Sequence, residues 1–176
     1  EMNRLRIGFV GLCVAFGLST ATLGQEDVYT VGFDGPDSIS GRAGETAAAS
    51  YLLTVSHEGP GVGAQAWSLG CTADGGAIVD ITIEGTTAGD LFDADRGFEA
   101  TELTTGEGNE GAVSAVVMCY DCGAVLTPNA TESVARIGVE VAVGEEDSVL
   151  GLRFLDGLLG SGKPVENVIT QIGTSF

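Results

Sequence analysis

Gln65-Ala66-Trp67-Ser68-Leu69-Gly70-Cys71 alternates cleanly along its whole length. Successive side chains of a strand point to opposite faces, so Gln65, Trp67, Leu69 and Cys71 share one face and Ala66, Ser68 and Gly70 the other. Trp67 is the one tryptophan of the chain, and a large aromatic in the middle of an apolar face is the first choice for a core. The same period continues upstream. Val28 to Phe33 reads as a strand and Asp34-Gly35-Pro36-Asp37 as a turn. Thr46 to His57 reads as a long strand with Tyr51, Leu53 and Val55 on one face, broken by Glu58-Gly59-Pro60-Gly61.

Downstream, Asp74-Gly75-Gly76 turns the chain into Ala77 to Ile83. Phe98 to Leu103 is a short strand and Gly106 to Gly111 a loop. Ala112 to Tyr120 is apolar at nearly every position, which predicts a strand buried on both faces. Tyr120-Asp121-Cys122-Gly123 turns into Ala124 to Leu126, and Pro128-Asn129 turns again. Glu132 to Val143 alternates through Val134, Ile137, Val139, Val141 and Val143, with a bulge predicted at Ala135 and Arg136. Val149 to Leu155 and Val165 to Ile172 are the last two strands, joined by a Gly-rich hairpin loop. About eight to nine strands, with turn signals roughly every 8–12 residues and scarce helical periods, predict an all-β fold: an antiparallel two-sheet β-sandwich. Tyr51, Trp67, Leu69 and Val117 are its expected core.

The chain has 176 residues, which fits one domain. Its N-terminus reads as an address. Arg4 and Arg6 form a positive start, Ile7 to Leu18 an apolar run, and Ser19-Thr20-Ala21 a small-residue cleavage site, with Thr22-Leu23-Gly24 as a second. The expected organisation is a signal peptide over 1–21, cleaved after Ala21 or Gly24, then a single sandwich domain over 22–176. The apolar run is short and Gly-rich for a membrane span, so no membrane insertion is expected after cleavage. The start at Glu1 ahead of Met2 and the end at Phe176 without a tail both read as truncation.

Seven Lys and Arg stand against 25 Asp and Glu, for a net charge of −18. Phosphate binding needs a basic patch, so nucleic acid is excluded as a partner. The same charge disfavours anionic lipid. With 44% hydrophobic residues the chain has enough apolar material for a core. An exported chain of this charge is kept soluble by self-repulsion and is expected to be secreted or at the cell surface.

Removal of the leader leaves Cys71, Cys119 and Cys122. An oxidising compartment predicts one disulfide and one thiol. All three pairings are open, and a bridge from Cys71 to the Cys119/Cys122 turn is favoured because it closes the longer loop. Cys119-Tyr120-Asp121-Cys122 also has redox spacing, but without the helix and βαβ setting that such sites use. Asp90, Asp93 and Asp95, with Glu99 nearby, gather oxygen ligands suited to Ca²⁺; the loop lacks the EF-hand spacing, and a solvated acidic turn is the competing reading.

Gly157-Leu158-Leu159-Gly160-Ser161-Gly162-Lys163 fits the G-x-x-x-x-G-K phosphate loop. Pro164 stands where Ser or Thr should hold Mg²⁺, and the β-branched stretch after it is no helix, so nucleotide binding is not expected. His57 is the one histidine, and no G-x-S-x-G elbow follows the leader, so a Ser-His-Asp site is not expected. Asn129-Ala130-Thr131 matches a glycosylation sequon, a short and common pattern.

Gly63-Ala64-Gln65-Ala66-Trp67-Ser68-Leu69 resembles a strand of cohesin-like domains. Phe98-Glu99-Ala100-Thr101-Glu102-Leu103 with Gly111 to Met118 resembles a segment of exported bacterial domains, and Leu152-Arg153-Phe154, Asp156-Gly157-Leu158, Gly160-Ser161-Gly162 and Pro164-Val165-Glu166-Asn167 resemble their closing hairpin. Cys119 and Cys122 depart from that pattern, which is apolar or hydroxylic there. The resemblance implies a cohesin-like or Ig-like sandwich, often followed by dockerin-type repeats, with a non-catalytic role and no catalytic residues to carry over. The expected function is an exported interaction module with no enzymatic activity and no resident cofactor beyond the candidate Ca²⁺. Its partner is an extracellular protein first and a polysaccharide second. The alternatives are a carbohydrate-binding module, a polysaccharide-acting hydrolase domain and a Ca²⁺-stiffened matrix protein.

Overall fold

The computed structural model of the chain describes residues 3–6, 26–105, 110–171 and 174–175. The predicted leader lies outside the described residues except for 3–6, and so do both cleavage sites and residues 106–109 of the predicted loop. In chain order the strands are β1 (Asn3–Arg6), β2 (Val28–Asp34), β3 (Ser38–Gly41), β4 (Thr46–Glu58), β5 (Ala66–Asp74) and β6 (Ala77–Thr82). One short helix, α1 (Thr87–Leu91), precedes β7 (Phe98–Thr104), β8 (Gly111–Val117) and β9 (Thr131–Ala142). The chain closes with β10 (Gly151–Phe154), β11 (Leu158–Gly160), β12 (Lys163–Val165), β13 (Val168–Gln171) and β14 (Thr174–Ser175).

Two antiparallel sheets make the body. The first has the order β2-β4-β9-β6 and the second β14-β13-β5-β8-β7, with β10 also on β5. Two ribbons, β1–β3 and β11–β12, complete the set. The sheets share one core. Tyr51, Leu53 and Val55 of β4 and Ile137, Val139 and Val141 of β9 belong to the same buried cluster as Trp67, Leu69 and Cys71 of β5 and Ala112 and Val116 of β8. Phe33 of β2 and Phe154 of β10 stack across the two sheets with ring centroids 4.4 Å apart. Trp67 buries its indole, and its Nε1–H donates to Ser114 Oγ at 3.1 Å, so the burial leaves no polar group unpaired. This is the all-β sandwich that the alternation predicts.

Four details differ from the reading of the sequence. Val117 is half-buried rather than core, because Trp67 pairs with Val116 and places that residue on the inner face. The bulge sits one residue early: Leu53 pairs with Ala135 and Thr54 with Ser133, so Val134 is the extra residue and Val134 and Ala135 are both buried. Helix α1 escaped notice because five residues carry no period; Thr86 caps it, accepting from Gly89 N at 3.2 Å. Finally, β10 and β13 are not partners in a hairpin. Both pair with β5, one at each end, and the segment between them leaves the sheet and returns.

The favoured disulfide is also corrected. Cys119 bonds to Cys122, with Cα atoms 5.8 Å apart, and Cys71 is free. Cys71 pairs with Ala112, at the far end of β8 from Cys119, so the strand's length keeps the two sulfurs apart. Burial pushes its thiol up to about 12, which makes it an inert apolar side chain.

Candidate functional site

The outer face of the second sheet is unusual for its small side chains. With Trp67, Leu69 and Cys71 inward, Ala66, Ser68, Gly70 and Thr72 of β5 face out. Cross-strand register adds Val113, Ala115 and Val117 from β8, and Phe98, Ala100 and Glu102 from β7. On the far side of β5, Val168 lies opposite Ser68.

Half of this face is roofed. After β10 the chain lifts off, forms the β11–β12 ribbon, and rejoins the sheet as β13. Two backbone positions, one on β5 and one on β8, make the excursion fit. A Cβ at Gly70 would stand 2.6 Å from Leu155 O, and one at Gly111 of β8 would press on the backbone of Cys71. Without those carbons, Leu158 settles within contact of both glycine positions and is 1% exposed. Leu158 and Val113 are buried outside the main core cluster, as a small second core beneath the roof.

The roof is tied at its base and its tip. At the base, Asp156 Oδ1 accepts from Asn167 N and Nδ2, both at 2.7 Å. Asn167 Oδ1 in turn accepts from Gly70 N at 2.7 Å. A side-chain amide thus supplies the acceptor that a continuous neighbouring strand would have given from its backbone. At the tip, Ser161 and Gly162 have φ of 48° and 77°, the two positive values of a type I′ turn. Ser161 N donates to Glu102 Oε2 at 2.6 Å and Ser161 Oγ donates to Glu102 Oε1. These bonds, the hydroxyl first, hold the Glu102 carboxyl below its ordinary value. The phosphate-loop look-alike is therefore a β-hairpin whose tip amide is already taken by a carboxylate of its own chain.

The other half of the face has no roof in the described structure. It presents Ala66, Ser68, Ala100, Ala115, Val117 and Val168, all half-buried, with Phe98 47% exposed at its edge. Beyond Val117 the chain runs into the Cys119–Cys122 turn, where Tyr120 is 66% exposed. No protein-family model matches this chain, and no curated protein or solved structure matches it. The site therefore rests on its own geometry.

The residues singled out in the sequence fall elsewhere. Asp90 is exposed on α1; Asp93 and Asp95 lie in the loop after it. Asp93 Oδ1 accepts from Asp95 N at 3.0 Å and Asp93 Oδ2 is 3.8 Å from Arg96 Nε. Glu99 Oε1 accepts from Thr101 Oγ1 at 3.1 Å. Among the described residues, the one group of acidic and cysteine side chains close enough to share an ion is Asp93, Cys119 and Cys122, with oxygen and sulfur atoms within 4.8 Å of one another and the two sulfurs joined as a disulfide. Asp90 and Asp95 are not in it.

His57 is 4% exposed, and both ring nitrogens are engaged. Nδ1 accepts from Asn129 N at 3.1 Å, so Nε2 carries the proton that faces Asp27 Oδ1 at 3.3 Å. Asp27 Oδ1 also accepts from Gly61 N, and Asn129 Oδ1 accepts from Gly59 N. Tyr29 stacks on the imidazole with centroids 4.8 Å apart and donates to Val62 O at 2.8 Å. Burial, then the Asp27 charge, pushes the Tyr29 hydroxyl up to about 12. The His57–Asp27 pair thus pins two loops together and has no nitrogen lone pair to offer a nucleophile. The sequence contained the signal for the roofed face in Gly70 and Gly111, but a glycine in a strand says only that something approaches, not what.

Proposed function

We propose that this domain is a non-catalytic, exported interaction module that docks a partner protein on the open half of the second sheet's outer face. The observation that carries the reading is the contrast in side chains. The outer face of the first sheet mixes Thr30, Thr54, Ser56, Arg136 and Glu140 with Ala48 and Leu52, and Ser56 Oγ and Thr131 Oγ1 are hydrogen-bonded at 2.7 Å. The open half of the second shows alanines and valines beside an exposed Phe98. A contiguous apolar patch rimmed by polar groups marks an interaction surface. Burial of Trp67 removes the flat indole platform that a sugar would stack on, which favours a protein partner. The engaged His57 supports a role without chemistry.

A photo-crosslinker placed at Ala100 tests the reading against proteins of the secreted and cell-surface fractions of the source. The expected result is a discrete protein adduct, competed by excess native chain and not by Ala115→Glu, whose stability should stay within about 0.5 kcal/mol of the native domain. Equal competition by both chains overturns the reading. Retention of the native chain on a polysaccharide panel, lost in Ala115→Glu, replaces the protein partner with a glycan.

A further inference from the structure

We propose that reduction of the Cys119–Cys122 disulfide unmasks a divalent-metal site, suited to Zn²⁺, formed by the two cysteine sulfurs and the Asp93 carboxylate. The three ligand atoms already lie within 4.8 Å of one another. They come from two segments held together by backbone hydrogen bonds: Asp93 N donates to Met118 O at 3.0 Å, and Tyr120 N donates to Arg96 O at 2.9 Å. The aspartate is further fixed because Arg96 N and Gly97 N both donate to Asp93 O. Two thiolates and one carboxylate form a donor set that a borderline-soft, tetrahedral ion accepts, with the fourth position left for water.

The surroundings suit the dithiolate. Cys122 N donates to Cys119 Sγ at 3.0 Å, and such an N–H stabilises charge on a sulfur ligand. Arg96 stands 3.8 Å from Asp93 Oδ2 and 3.8 Å from Asp121 Oδ1, and it offsets the negative charge left when two thiolates and a carboxylate meet one divalent ion. Burial sets the order of events. Cys119 is fully buried and Cys122 is exposed, so a dithiol reductant attacks the Cys122 sulfur. The S–S bond breaks, Cys119 leaves as a thiolate, and the second thiol of the reductant then displaces Cys122. The reductant ends as its disulfide and the protein as a dithiol. The ion enters as the two thiols give up their protons.

The test uses the full chain, reduced without oxygen, freed of reductant and titrated with Co²⁺ as a coloured substitute for Zn²⁺. The expected result is a thiolate-to-cobalt absorption that saturates at one ion per chain and is bleached by Zn²⁺. The oxidised chain should show none. Cys119→Ser and Cys122→Ser should lose the band, Cys71→Ala should keep it, and Asp93→Asn should keep it with affinity lower by about tenfold or more. Absence of the band in the reduced chain overturns the proposal, as does its loss in Cys71→Ala or an unchanged affinity in Asp93→Asn. A reduced chain that loses the Trp67 fluorescence of the folded core overturns it too, because the two loops then no longer present the ligands together.

Discussion

The two halves of the second sheet's outer face are built from the same strands, β5, β8 and β7, yet one is covered and the other is open. On the covered half, Gly70 and Gly111 leave room for the Leu158 side chain, and Val113 packs beneath the ribbon. On the open half, Ala66, Ser68, Ala100 and Ala115 fill the equivalent positions with short side chains. Removing a Cβ at two positions decides where the chain can cover its own sheet. Retaining a methyl at the others leaves a smooth surface that another molecule can approach.

The largest expected effect that tests this contrast is Leu158→Ala. It should lower stability by about 2 kcal/mol, near the low end for a buried leucine, because the roof can partly collapse. Urea unfolding followed by Trp67 fluorescence measures it, with Ala115→Glu as the counterpart on the open half. Equal losses for the two would show that the halves are not mechanically distinct. Asn167→Ala comes next, at about 1–1.5 kcal/mol, since it leaves the buried Gly70 N–H without an acceptor. Faster hydrogen exchange at the Gly70 amide should accompany the loss; an unchanged exchange rate would mean that another acceptor takes over.

The smallest effect concerns the tip. The Glu102 carboxyl titrates below its ordinary value of 4.5 in the folded chain, so its contribution is complete above that pH. The contribution disappears as pH falls through the lower, folded value. Glu102→Gln should therefore flatten that part of the acid limb when urea midpoints are compared from neutral to acid pH. A limb of unchanged steepness would place the acid sensitivity in other carboxyls.

The body of the fold was legible because β4, β5 and β9 each carry their pattern within one segment. Tyr51, Leu53, Val55, Trp67 and Leu69 follow directly from alternation. Val117 did not, because a run apolar on both faces gives no phase, and only pairing with β5 sets which residue turns inward. The roof was misread for a related reason. Gly157 to Lys163 does form a hairpin, but its attachment depends on Asn167 reaching Gly70, a contact between residues far apart in the chain. Loop entropy favours the longer Cys71 bridge, but pairing with Ala112 sets Cys71 at the far end of β8 from Cys119, a placement no local pattern carries. The candidate site shared that difficulty. Nothing local in Ala66, Ala100 or Ala115 distinguishes an open sheet face from a covered one.

The interrupted edge beside β5 has a further consequence, for behaviour in a crowded solution. A long flat edge strand offers an unbroken row of N–H and C=O groups to any other chain, and so seeds aggregation. Here that edge is divided into the four residues of β10 and the four of β13, with the ribbon projecting between them and β14 paired to β13. An incoming strand would find a few residues of ladder and then an obstacle. Together with a net charge of −18, this discourages edge-to-edge growth without sacrificing the sheet that carries the core.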